Sequence, residues 1–264
     1  MSELNPTLQL RVRQYGAVVE VRLANDSKRN ALTHAMLTGL ADLLTCPPDG
    51  TRVIVLTGGA HFSAGADISV YAAHQADAIE NLTSTAARVC ETMTASPIPI
   101  IAAVEGVALG GGFELVLAAD LVIACTAASF GLPETVLGLI PGWGGTQRLT
   151  AQVGPRRAKQ MIMLAERLGA DQAAALGLVN EVVPEGQALP RALELAQRLQ
   201  HGSAAAIAAT KTLVHAAQHP LALEAERATL RRLFTSPDGI EGVTAFVEKR
   251  SPDFTRRPGR SPAA

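Results

Sequence analysis

The sequence predicts an α/β core followed by a helical C-terminal region, and three observations support this. Short apolar runs that end at glycines are typical of buried strands, as in residues 52–57 before Gly58 and Gly59. Between such runs, apolar residues recur at steps of three and four, which is the spacing of one helix face. Beyond residue 183 the pattern becomes almost wholly helical.

The strands of the core come from two patterns. Apolar residues alternate with Glu20 and Arg22, which predicts a half-exposed strand over 19–23. Uninterrupted apolar runs predict three buried strands, at 52–57, 99–105 and 121–126.

The helices follow from caps and periodicity. Thr33 can cap a helix over 34–44, and a second helix presents one apolar face made of Ile79, Leu82, Ala86, Val89 and Met93. Pro155 stands where a helix over 156–168 can begin, and Asp171 can cap a short helix that ends at Gly177. Four further helices are predicted at 189–199, 203–217, 221–234 and 240–249.

These patterns divide the chain into three parts. Residues 1–195 are expected to form the core that holds the active site, and 196–255 a C-terminal helical region. Residues 256–264 are rich in Pro, Arg and Ser and are expected to be a disordered tail.

Composition excludes several classes of function. The formal net charge is -1 and no run of Lys or Arg exceeds two residues, which argues against nucleic acid or an anionic membrane surface as a partner. The most apolar window, 107–127, contains Glu114 and Asp120 and is too polar for a membrane span. Three cysteines without a C-x-x-C pair suit a reducing cytoplasm, which is the expected location, and argue against a zinc site.

Three glycine-rich segments, at 61–67, 108–114 and 140–146, are candidate ligand sites. The second opens a predicted helix, and a helix start has unpaired N–H groups that can hold a phosphate or a developing oxyanion. Tight turns without a ligand are the alternative for each segment. None of the three completes a dinucleotide or P-loop fingerprint.

Glu114 and Glu134 stand in strongly apolar sequence, where burial should raise the pKa of a carboxyl and fit it for acid–base work. The alternatives are a charge that favours the helix dipole for Glu114 and a loop carboxylate that caps the next element for Glu134. Ser63 is a weak candidate nucleophile, because His61 occupies the place of the first glycine of G-x-S-x-G.

Longer motifs carry a specific resemblance. S-A-G-A-D-I at 63–68, A-L-G-G-G-F-E-L at 108–115, F-G-L-P-E at 130–134 and G-L-I-P-G-W-G-G-T-Q-R-L at 138–149 occur in order. Together with K-R-N-A-L at 28–32 and A-F-V-E-K-R at 245–250, they resemble the crotonase (enoyl-CoA hydratase/isomerase) superfamily, most closely its enoyl-CoA hydratases. The resemblance covers about residues 8–255.

The resemblance implies a crotonase fold, which is a spiral of ββα units with a C-terminal helical region that serves trimerisation. It also implies an oxyanion hole made of the backbone N–H groups of Ala66 and Gly111. A homotrimer or a dimer of trimers is therefore expected.

By the same resemblance, the glutamate pair of the hydratases maps onto Glu114 and Glu134. Glu114 would help deprotonate the attacking water and Glu134 would supply a proton to the α-carbon. The implied reaction is syn addition of water to a trans-2-enoyl-CoA, with no metal and no cofactor beyond coenzyme A as the substrate's carrier.

Further contacts with substrate or coenzyme A are expected from the matched motifs, at Lys28, Arg29, Ala31, Ala64, Asp67, Ile68, Gly142, Trp143 and Lys249. A solvated turn is the alternative for Lys28 and Arg29. Gly142 matches a position near the reacting water, where a larger side chain should obstruct the site. The stretch 70–78 is expected to be the variable acyl-binding loop.

Two positions depart from the family pattern. Ser69 stands where many hydratases have Lys, and the bulky Trp143 stands where small residues are common. A double-bond isomerase or a CoA-thioester hydrolase of the same superfamily remains an alternative, as does, more remotely, an RNA-binding or non-catalytic member.

Overall fold

The computed structural model describes residues 3–5, 9–67, 69 and 76–215, together with 236–237, 240–241, 245, 248–250 and 252–254. Within this part of the chain, one seven-stranded sheet forms the centre of the fold. In spatial order its strands are β1 (Glu3–Asn5), β2 (Leu10–Tyr15), β3 (Val18–Leu23), β4 (Val53–Thr57), β5 (Ile100–Val104), β7 (Leu121–Cys125) and β10 (Glu181–Val183). The pairs up to β3 are antiparallel and all later pairs are parallel.

A second sheet of three short strands contains β6 (Val107–Leu109), β8 (Ser129–Gly131) and β9 (Arg167–Gly169). Two isolated parallel bridges extend its pattern towards the N-terminus, Ser63 to Ala108 and Leu32 to Ala66. The chain therefore places the glycine-rich segments 61–67 and 108–114 side by side at this second sheet.

Seven helices lie within the described residues. They are α1 (His34–Thr45), α2 (Ala76–Ala95), α3 (Gly111–Ala118), α4 (Gly145–Met163), α5 (Ala170–Ala175), α6 (Ala188–Leu199) and α7 (Ala204–His215). Short 3-10 turns occupy Asp26–Lys28 and Glu134–Leu137. None of these helices is long and apolar enough to cross a membrane.

The two faces of the central sheet bury different cores, because successive side chains of a strand point to opposite sides. Ile54 and Leu56 of β4 join the large core with α1, α2 and α3, whereas Val53 and Val55 face the other side. There α6 covers the sheet with an alanine stripe at i, i+4 spacing, made of Ala188, Ala192 and Ala196. Each face is thus covered by helices, as the predicted α/β core requires.

Most predicted elements are confirmed with small shifts of their ends. The predicted cap is present, since Thr33 Oγ1 accepts the N–H of Met36 at 3.2 Å. The strands at 52–57, 99–105 and 121–126 and the helices at 189–199 and 203–217 correspond to β4, β5, β7, α6 and α7.

The predicted exposure of the 19–23 strand is wrong. Glu20 is only 4% exposed, and its Oε2 accepts the Tyr15 hydroxyl at 3.0 Å. The strand β3 lies between β2 and β4, so a polar side chain on it needs a partner inside the fold.

The helix predicted over 156–168 is partly wrong. α4 starts earlier, at Gly145, and kinks at Gly154, where φ is 77°. Pro155 then begins its second half, which ends at Met163, so Leu168 lies in β9 instead. The short helix α5 is capped at Gly169, whose N–H donates to Gln172 Oε1 at 3.0 Å, and Asp171 is not the cap.

Other predictions fall outside what can be compared. The helix at 221–234, the tail at 256–264 and most of the loop at 70–78 lie outside the described residues. The described residues Ile240, Glu241, Ala245 and Glu248 are helical, within the helix predicted over 240–249. The three-part division of the chain stays a prediction.

Candidate active site

A cavity of about 410 Å³ opens beside the second sheet. Its floor is formed by small residues of the glycine motifs, which leave the backbone accessible. These residues are Ala64, Gly65, Ala66, Gly110 and Gly111. Its walls are formed by α2, by α3, by the 3-10 turn Glu134–Leu137 and by the loop before α4. The wall residues are Ile79, Thr83, Glu114, Pro133, Glu134, Leu137, Leu139, Ile140, Gly142 and Trp143. The structure therefore brings Ala64, Ala66, Gly111, Glu114, Glu134, Gly142 and Trp143, all expected from sequence, to one cavity.

Two backbone N–H groups in this floor have no acceptor within the described part of the chain. The bridge between Leu32 and the Gly65–Asp67 segment uses the N–H groups of Leu32 and Asp67, and it leaves that of Ala66 without an acceptor among the described residues. Gly111 is the first residue of α3, so its N–H has no intrahelical acceptor either. The two segments adjoin, since a Cβ added at Gly65 would lie 3.5 Å from the Gly111 nitrogen.

Glu114 is 2% exposed and crosses from α3 to the start of α4. Its Oε1 accepts the backbone N–H groups of Trp143 and Gly145, each at 2.8 Å. Burial raises the pKa of this carboxyl to about 7, and the nearby Glu134 charge acts in the same direction, against the two N–H donors and Arg148. The carboxyl therefore bonds to the start of α4, although Glu114 itself stands in the first turn of α3.

Glu134 opens the 3-10 turn and faces the glycine run. A Cβ added at Gly110 would lie 3.1 Å from Glu134 Oε1. Its Oε2 is buried and has no hydrogen-bond partner among the described residues. Burial raises the pKa of this carboxyl as well. A buried oxygen without a partner calls for an explanation such as an absent water or ligand, and a loop cap does not provide one.

Trp143 is 3% exposed and lies against the glycine floor. A Cβ added at Gly111 would overlap the Cζ3 and Cη2 atoms of the indole, so only glycine fits there. The loop is fixed at this point, since the Trp143 carbonyl accepts Arg148 Nη1 at 2.8 Å. By contrast, a Cβ added at Gly142 would meet only Thr83 Cγ2, at 3.5 Å.

The K-R-N-A-L segment lies beside the cavity floor but does not line the cavity. The Arg29 carbonyl accepts the N–H of Ala64 at 2.9 Å, and the Ala31 carbonyl accepts Asn25 Nδ2 at 2.9 Å. Lys28 Nζ pairs with Asp67 Oδ2 at 2.9 Å, with 55% of the Lys28 side chain exposed. Ser69 shares the same carboxylate, donating its hydroxyl to Asp67 Oδ1 at 2.8 Å.

The remaining candidate site residues are Ser63, Lys249 and Ile68, and the first two do not line the cavity. Ser63 is fully buried and donates its hydroxyl to the Asn30 carbonyl at 2.7 Å, so it serves the fold and does not act as a nucleophile. Lys249 is exposed, outside the cavity lining, and has a left-handed backbone with φ of 56°. Ile68 lies outside the described residues. No cluster of three potential metal ligands occurs in the described part of the chain.

Sequence reasoning missed several residues of the site. The cavity walls include Ile79 and Thr83 of α2 and Leu137, Leu139 and Ile140 of the adjoining turn and loop. Arg148 and Gly145 were missed as the groups that fix the Trp143 loop and the Glu114 carboxyl. Their only signal in the sequence was the G-W-G-G-T-Q-R-L motif itself.

Comparison with known protein families shows which family the chain belongs to. The model of the enoyl-CoA hydratase/isomerase family matches residues 13–257. The chain belongs to this family. It is 40% identical over 264 residues to the 2,3-dehydroadipyl-CoA hydratase of Escherichia coli, covering 97% of the chain and 100% of that protein.

Other members of the enoyl-CoA hydratase/isomerase family are also similar to the chain in sequence and in structure. The crotonyl-CoA hydratase of Syntrophomonas wolfei is 37% identical, over 85% of the chain and 89% of that protein. The crystal structure of an enoyl-CoA hydratase from Bacillus anthracis has a TM-score of 0.89 and 36% identity, covering 93% of this chain and 98% of that one. These matches confirm the predicted family, the predicted fold class and the prediction of an enoyl-CoA hydratase.

Proposed function

We propose that the enzyme adds water across the double bond of a trans-2-enoyl-CoA thioester and gives a 3-hydroxyacyl-CoA. The observation that carries this proposal is the arrangement of one cavity. Two partly or fully buried carboxyls, Glu114 and Glu134, flank two backbone N–H groups that have no acceptor among the described residues.

The N–H groups of Ala66 and Gly111 bind the thioester oxygen. As water adds to C3, negative charge moves onto this oxygen and the thioester becomes enolate-like. Donors that are already aimed at this position need no reorganisation, which is the main source of stabilisation in an oxyanion hole. The start of α3 adds the favourable end of its helix dipole at Gly111.

The two glutamates hold and split the water. Oε1 of Glu114 is fixed by two N–H groups, which leaves Oε2 for the water. The water O–H bond breaks, its proton passes to the Glu114 carboxylate, and its oxygen bonds to C3. Protonated Glu134 then gives its proton to C2, and both carboxyls return to their starting states by proton exchange. Their titration belongs to the pair, because each charge raises the cost of the other.

Binding of the coenzyme A moiety is proposed at the rim of the cavity. Lys28, Arg29 and Ala31 lie beside the segment that contains Ala64 and Asp67, and exposed basic groups there suit the phosphates. Ile68, the next residue in the sequence, is proposed as a further contact. Lys249 is proposed to contact the coenzyme A of a neighbouring subunit, within a homotrimer or a dimer of trimers in the cytoplasm.

Loss of the conjugated enoyl-thioester absorbance with crotonyl-CoA tests the proposal. Hydration gives a product that is heavier by one water and releases no free thiol. Release of free coenzyme A instead would indicate a thioester hydrolase. A double bond moved without a change in mass would indicate an isomerase. Either result without a hydrated product would reject the proposed reaction.

A further inference from the structure

Trp143 is the only tryptophan of the chain and the largest side chain that lines the cavity. Three contacts fix it. Its six-membered ring lies against Gly111, its backbone N–H donates to Glu114 Oε1, and its carbonyl accepts Arg148 Nη1. The two backbone hydrogen bonds fix the loop, and the indole, at 3% exposure, cannot move without displacing the groups packed around it.

The position of the indole relative to the reacting atoms follows from its neighbours. A thioester oxygen bound at the Gly111 N–H places C1 of the acyl group next to Gly111, and a water held by Glu114 lies next to C3. Gly111, Glu114 and Trp143 line the same cavity and the indole lies against Gly111, so it borders the space between these two positions. C2 of the acyl group occupies that space, because it lies between C1 and C3.

Other side chains that line the cavity differ from Trp143 in their exposure to solvent. The cavity is also lined by Ile79, Leu137, Leu139 and Ile140, and Leu137 and Ile140 are 57% and 72% exposed. Exposed side chains at an opening can adjust to chains of different length, whereas a buried side chain such as Trp143, which is 3% exposed, cannot. The steric limit therefore acts at the reacting carbons.

We infer that Trp143 restricts the enzyme to acyl groups that carry no branch at C2. This inference rests on the proposed function, because the positions of C1 and C3 follow from the proposed oxyanion hole and water. A methyl group on C2 meets the indole, and relief of the clash requires movement of Gly111 or of the loop that holds Glu114.

Selectivity between crotonyl-CoA and 2-methylcrotonyl-CoA tests this inference in wild type, Trp143→Phe and Trp143→Ala. One methyl group in a tight pocket changes kcat/KM by about 10- to 200-fold. We expect Trp143→Ala to raise the ratio of kcat/KM for the branched over the linear thioester at least about tenfold, with Trp143→Phe between the two. If Trp143→Ala does not fold, Trp143→Phe carries the test.

A matched control separates selectivity from general loss of packing. Leu40 is 1% exposed in α1 and does not line the cavity, so Leu40→Ala removes a buried side chain elsewhere. We expect its ratio to equal that of wild type. Equal ratios in folded Trp143→Phe, Trp143→Ala and wild type would overturn the inference, and so would the same rise in Leu40→Ala.

Binding of saturated thioesters keeps this inference distinct from the proposed reaction. Calorimetric titration with butyryl-CoA and 2-methylbutyryl-CoA involves no chemistry at C2 or C3. Wild type that prefers butyryl-CoA at least about tenfold, with the preference lost in Trp143→Ala, supports the inference even if no enoyl-CoA is hydrated. Hydration of crotonyl-CoA without any such preference would reject the inference and retain the proposed reaction.

Discussion

Gly145 donates its backbone N–H to Oε1 of Glu114 over 2.8 Å, so the carboxyl lies at the N-terminus of α4. Two opposing effects act on it. The helix terminus and its N–H groups favour the carboxylate, whereas burial favours the neutral acid. Burial is the larger effect, and the pKa rises to about 7. The proposed base therefore titrates near neutral pH, where acid–base catalysis is most efficient.

The raised pKa of Glu114 predicts a pH dependence of stability. A carboxyl with a higher pKa in the folded chain stabilises the fold when protonated. This contribution is complete below the ordinary pKa of 4.5 and is lost as the pH rises through about 7. The amide of Glu114→Gln does not titrate. The unfolding free energy of wild type minus that of Glu114→Gln should therefore fall by about 3 kcal/mol between pH 4.5 and pH 8.

Urea unfolding of both proteins at pH 4.5 and at pH 8 measures this difference. The comparison cancels most of the contribution of Glu134, which both proteins contain. The same difference in unfolding free energy at both pH values would contradict the raised pKa of Glu114.

The N–H of Gly111 can be tested only where the indole is absent. A Cβ added at this position overlaps Trp143, so even Gly111→Ala should destabilise wild type, by about 1–3 kcal/mol. In a Trp143→Ala background the three indole atoms nearest to an added Cβ are absent for both Gly111→Ala and Gly111→Pro, and proline is tolerated at the first position of a helix. Only proline removes the N–H, so it should lower kcat by about 10²- to 10³-fold relative to alanine.

Circular dichroism establishes that both Gly111 double variants are folded, and the crotonyl-CoA assay gives their rates. Equal rates would remove the Gly111 N–H from the proposed oxyanion hole.

Arg148 is a positioning residue for Glu114. It holds the Trp143 carbonyl at 2.8 Å, and its charge lowers the pKa of Glu114. Since the proposed base must be ionised, Arg148→Met should shift the acid limb of the pH profile of kcat/KM to higher pH. Arg148→Lys retains the charge and should shift it less.

Arg156 is exposed on the same helix, so Arg156→Met is the matched control and should leave the profile in place. An identical acid limb in Arg148→Met and wild type would show that Arg148 does not act on Glu114.

Gly142 is predicted to keep space for the substrate and not for the fold. An added Cβ meets only Thr83 Cγ2 at an ordinary 3.5 Å, yet the residue lines the cavity. Gly142→Val should therefore melt near the wild-type temperature while kcat/KM for crotonyl-CoA falls at least about tenfold. Gly169→Val, outside the cavity lining and with the nearest atom 4.0 Å from an added Cβ, is the control. Equal activity in the two variants would contradict this role.

Local features of the fold were predictable from sequence because they depend on neighbouring residues. The Thr33 cap joins residues three apart, and the glycine run places Gly111 and Glu114 in the first turns of α3. The hydrophobic runs of β4 and β5 need no information beyond their own composition.

Features set by tertiary packing were not predictable in the same way. The hydrogen bond between Glu114 and Gly145 joins residues 31 positions apart, and nothing near Trp143 indicates that its ring covers Gly111. Leu168 continues a helical pattern, but pairing with Phe130 of β8 makes it a strand residue. The resemblance located the candidate site residues, whereas their contacts came only from the structure.

The most direct test of the glutamate mechanism is the loss of crotonyl-CoA absorbance with wild type, Glu114→Gln and Glu134→Gln. Each amide keeps the shape of the carboxyl but cannot exchange the proton, so each variant should lose at least about 10²-fold in kcat. Glu194→Gln, on the exposed face of α6, should retain the wild-type rate. Rapid loss in wild type and almost none in the two variants is the predicted result. A rate near wild type in folded Glu114→Gln or Glu134→Gln would contradict hydration by the glutamate pair.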